Sequence, residues 1–154
     1  YYILSSIYKT DMDKEKIFGL FDKHFDEGVN AEIELYKKTF RFKIEMFIKV
    51  VIYGEKWKSS VVNIFSKADS DLNVKEIDEA GDFMLYTKAW FWIEQFDFNN
   101  DDCLEDLRSI THTDKDSFNG SDLFISLMRA IKYFEKIEEF EKCAFLVKIR
   151  DLLK

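Results

Sequence analysis

Apolar positions along this chain recur mostly at three- and four-residue intervals, the spacing that gathers side chains on one face of an α-helix. Thr10, Asp11, Met12 and Asp13 form an [ST]xx[DE] helix start, and Ile17, Leu20, Phe21, His24 and Phe25 follow at helical spacing before Gly28 supplies a stop. Asn30 is placed to cap a second helix that runs to about Tyr53. Its polar stripe is Glu34, Lys38, Arg41, Glu45 and Lys49, and Gly54 takes the C′ position. A competing pattern lies inside that helix, because Phe40, Phe42, Ile44, Met46, Ile48, Val50 and Ile52 alternate with the period of a strand. An uninterrupted strand of that length is rare, so helix is the expectation over 39–53. Trp57, Val61, Ile64, Phe65 and Ala68 make a third amphipathic helix, and the polar cluster 69–73 is the loop after it.

The stretch from Gly81 to Phe98, GDFMLYTKAWFWIEQFDF, is apolar on nearly all sides, which predicts a buried helix with the rest of the chain packed around it. Asn73, followed three residues later by Glu76, marks its start. Trp90 and Trp92 project from different sides of this helix, so each needs its own packing partners and both are expected to be largely buried. Asn99, Asn100, Asp101 and Asp102 then cap a short helix carrying Leu104, Leu107 and Ile110, and 111–120 is the longest loop-like stretch. Ser121 begins a helix with Phe124, Leu127, Met128, Ile131 and Phe134 on one face. The apolar face changes around 137–141, after which Phe140, Cys143, Ala144, Val147, Ile149 and Leu153 form the last helix. No Gly or Pro separates these two, so an αα-hairpin and one long helix both fit, and the hairpin is the expectation. The predicted fold is all-α: a single globular domain over 1–154, of about six or seven helices around the buried aromatic helix from Gly81 to Phe98.

Composition agrees with that reading. A chain of 154 residues suits one domain, and 17% aromatic content, including sixteen Phe, is far too much apolar surface for a disordered chain. Proline is absent and glycine numbers five, too little turn chemistry for a many-stranded sheet. Two cysteines, Cys103 and Cys143, without CxxC spacing point to a reduced intracellular setting. No apolar run reaches transmembrane length, and Tyr1 to Tyr8 lacks the pattern of a signal peptide, so a cytoplasmic protein is expected.

Signals for chemistry are weak. The tail EEFEKCAFLVKIRDLL resembles the second helix of a tetratricopeptide unit, and is similar to helical hairpins of some DNA-repair and chaperone proteins. A tetratricopeptide array repeats at about 34 residues, and no second copy occurs, so the tail reads as an ordinary amphipathic hairpin. Asp97, Asn99 and Asp101 give the DxNxD opening of a calcium loop, and Asp114 with Asp116 begins similarly. The sixth and twelfth positions should be Gly and Glu, but are Asp102 and Arg108 in the first case and Asn119 and Ile125 in the second. Helix capping explains these residues better. His24 and His112, the only histidines, form no metal-binding motif, and neither cysteine carries a nucleophile signature. With no GxSxG, Walker A loop or GxGxxG, no catalytic residue, cofactor or metal is predicted, and the chain is not read as an enzyme.

Charge is the remaining guide. Positions 69–122 hold fifteen Asp and Glu against four Lys and Arg, a net of −11 within a total of −7. Such a field disfavours direct nucleic-acid binding and favours a partner with a basic surface. The expected function is therefore binding to another protein, in the manner of a small acidic inhibitor or immunity-type protein. Asp97, Asp101, Asp102, Glu105 and Asp106 are its candidate contact residues. The alternative is a structural or assembly subunit, of a phage particle or a larger complex, whose aromatic surplus forms subunit contacts.

Overall fold

Thr39 divides what the apolar pattern runs together. In the computed structural model, which describes residues 27–68, 71, 73–111 and 118–154, α1 (Glu27–Lys38) ends one residue before α2 (Phe40–Ala68) begins. The Thr39 hydroxyl accepts from the Phe42 amide at 3.3 Å and donates to the Tyr36 carbonyl at 2.6 Å, closing both helix ends at one residue. Gly28 and Asn30, expected as a stop and a cap, both lie inside α1. The start at Thr10 and the apolar stripe through Phe25 fall outside the described residues.

The expected stop at Gly54 is also absent. The part of the second predicted helix after Thr39 and the third predicted helix are one, α2, of 29 residues and about 44 Å. Its first half buries Phe40, Phe42, Ile44, Phe47, Ile48 and Val51, and every residue after Val51 is half-buried or exposed. The alternation that suggested a strand comes from apolar residues on several sides of this helix: Phe42 and Met46 meet α1, while Ile44, Phe47 and Ile48 enter the main core. The expected helix is therefore present over 40–53, with Thr39 outside it, and no strand occurs among the described residues.

The helix carrying the aromatic stretch, α3 (Val74–Ile93), packs along α2 as its main neighbour. Asn73 caps it as expected, its side chain accepting from the Lys75 amide at 3.1 Å. Two expectations are corrected here. Residues 94–98 lie beyond the helix, and α3 is buried on one face only: Leu85, Tyr86, Ala89 and Ile93 are buried, while Phe83, Met84 and Phe91 are 61%, 61% and 55% exposed. The centre of the molecule is instead the first half of α2, against which α1, α3, α4 and α5 all pack. Trp90 and Trp92 have the expected separate partners, Phe134 and Phe145 for the first and Phe42 and Phe91 for the second, and both pack against the core with most of their surface covered.

The remaining elements are α4 (Asp101–Thr111), α5 (Gly120–Lys136) and α6 (Phe140–Asp151). Leu107, Ile110, Leu123, Leu127, Phe134, Leu146 and Ile149 join the α2 and α3 residues in one continuous core. The described residues thus form one compact all-helical unit of six helices. Asn119, not Ser121, starts α5 through a complete capping box with Asp122, and the helix buries Leu123, Leu127, Ala130 and Phe134 while Phe124 and Met128 face out. Likewise α6 buries Leu146 and Ile149 and leaves Phe140 62% exposed. The two helices form the expected αα-hairpin. The turn needs no glycine, because Glu138 adopts the left-handed conformation at φ 61° and the Glu139 amide returns to the Phe134 carbonyl at 2.9 Å.

The α2–α3 crossing depends on two glycines. A Cβ on Gly54 would meet Leu85 Cδ1 at 2.5 Å, and one on Gly81 would meet the Lys58 stem at 2.7 Å. Gly54→Ala therefore sets a helix-propensity gain of about 1 kcal/mol against overpacking that costs about 1–3 kcal/mol. The expected outcome in chemical denaturation is a net loss of about 1 kcal/mol, whereas a gain in stability would contradict the close crossing.

Candidate functional site

Capping accounts for part of the acidic group around α4. Asp97 Oδ1 accepts from the Asn99 amide at 2.9 Å, and Asn100 Oδ1 accepts from the amides of Asp102 and Cys103 at 2.9 and 3.2 Å. The DxNxD stretch is thus a pair of turn and cap motifs, and no group of three or more metal-ligating side chains occurs among the described residues. The second calcium-like stretch, Asp114 and Asp116, lies outside the described residues, as do His24 and His112. Cys103 is buried and Cys143 half-buried, and both are free.

Asp106 differs from its acidic neighbours. It reaches from α4 to the start of α2, where its Oδ2 accepts from the Arg41 amide at 3.3 Å, so its carboxylate serves as a second cap on the α2 N-terminus. Burial pushes its pKa above the usual carboxylate value, outweighing the hydrogen bonds from the Arg41 and Phe40 amides and the Arg41 charge. Asp101, Asp102 and Glu105 remain exposed. The first two sit favourably in the first turn of α4, and Glu105 has only a solvated pairing with Arg108 at 3.9 Å. Of the five candidate residues, four stand together on α4, Asp97 lies in the connection before it, and three carry charge with no contact to another element among the described residues.

A polar cluster closes one side of the α2–α3 seam. Lys58 Nζ lies 2.5 Å from Asp82 Oδ1 and 3.4 Å from both Glu55 and Asp78, and the Tyr86 hydroxyl donates to Glu55 at 3.1 Å. Burial opposes the Lys58 charge, but the Asp82 hydrogen bond and the three carboxylates outweigh it and raise its pKa. Burial and Glu55 together push the Tyr86 phenol upward, and its ring stacks on Tyr133 at 4.4 Å. Three carboxylates gathered on one ammonium tie the two helices together at this level.

The same seam carries a largely apolar groove. Trp57, Lys58, Val61, Val62 and Phe65 of α2, with Ile77, Ala80, Gly81 and Met84 of α3, line its volume of about 310 Å³. Trp57 is 49% exposed, Phe65 48% and Ile64 65%. The sequence placed Trp57, Ile64 and Phe65 on the buried face of a third helix. Among the described residues that face stays half-buried or exposed, because α2 extends past the core.

No family model, no curated protein and no solved structure matches the chain.

The Asp106 geometry separates two variants. Asp106→Ala removes the acceptor and should cost about 0.5–2 kcal/mol at any pH. Asp106→Asn keeps an acceptor and removes a buried charge. Because the folded pKa is raised, the carboxyl favours folding only while protonated, and that contribution is lost as pH rises through the folded value. Asn should therefore be at least as stable as Asp at pH 7, with any advantage vanishing as pH falls through the carboxylate range. The check is urea denaturation across pH, and an Asn variant that loses as much as Ala at pH 7 would contradict it.

Proposed function

We propose that this chain is an assembly subunit, a helical protein that acts by binding protein through the open apolar face of its α2–α3 hairpin. The observation that carries this reading is the groove lined by Trp57, Val61, Phe65, Ile77 and Met84, on a stretch of α2 that makes no contribution to the buried core. Soluble proteins rarely leave such faces uncovered unless they are used, and half-exposed Trp and Phe are the residues that supply most energy at protein contacts. Groove shape and the adjoining two-helix surface suit an amphipathic helix laid along the seam. The Lys58 cluster at the same seam ties the two helices together, which lowers the entropy cost of docking.

A second reading rests on α4. Asp101, Asp102 and Glu105 are exposed like charges without a tertiary duty, as an inhibitor that covers a basic surface would need. The two readings engage different faces and so separate cleanly. A photo-crosslinking phenylalanine analogue at position 65 in the native host should give a discrete higher-mass adduct, and the same group at exposed Glu141 should give none. Adducts from position 102 but none from position 65 would transfer the function to the acidic face of α4, and adducts from neither would remove both readings.

A further inference from the structure

We draw no further inference here: the strongest candidate, the apolar groove that Trp57, Val61 and Phe65 of α2 form with Ile77 and Met84 of α3, belongs to the docking face already proposed, and nothing in the structure shows what covers it.

Discussion

Gly54 against Leu85 is the contact on which this architecture depends. With no Cβ on Gly54, the Leu85 side chain reaches the α2 backbone, and with none on Gly81 the Lys58 stem passes over α3. The two helices therefore approach closely at two levels, and close approach brings Lys58 within reach of Asp78 and Asp82, and Tyr86 within reach of Glu55. Below this crossing, the first half of α2 gathers α1, α3, α4 and α5 around Ile44, Phe47, Ile48 and Val51. Above it the hairpin continues, with the Lys58 cluster tying the seam and an apolar groove that is exposed among the described residues.

That division gives α2 two duties. A residue on its first half loses fully buried area when truncated, at about 1.5–3 kcal/mol for a large apolar side chain before any cavity cost. A residue such as Ile64, 65% exposed, contributes little to the fold. Apolar side chains that the fold does not need and water does not favour are the physical basis of the proposed docking face. The acidic group around α4 divides in a related way: Asp106 and Asp97 hold backbone amides, while Asp101, Asp102 and Glu105 are exposed.

Much of the fold was legible from residue spacing, and the misreadings have definite causes. Helical periodicity and the Asn73 and Asn100 caps placed α3 and α4, because those signals are local and strong. Thr39 was overlooked because Phe42, three residues on, gives no capping box, although the hydroxyl alone suffices to start α2. Gly54 was read as a stop because glycine commonly ends helices, yet here its lack of a side chain serves a neighbour more than thirty positions away, which no local pattern records. The apolar groove was hidden for a related reason. Trp57, Val61, Ile64 and Phe65 have the spacing of a buried face, and periodicity tells which side of a helix is apolar, not whether anything covers it.

Amide hydrogen exchange through α2, resolved residue by residue, tests the central claim most directly, that one helix passes unbroken from the core into the hairpin. The account predicts strong protection from Ile44 through Val51, continuing without a gap across Gly54 to Trp57 and declining toward Ala68 as the core is left behind. Fast exchange confined to Gly54, Glu55 and Lys56, between two protected stretches, would show a helix end at the glycine. It would contradict both the α2–α3 crossing and the apolar face that depends on it.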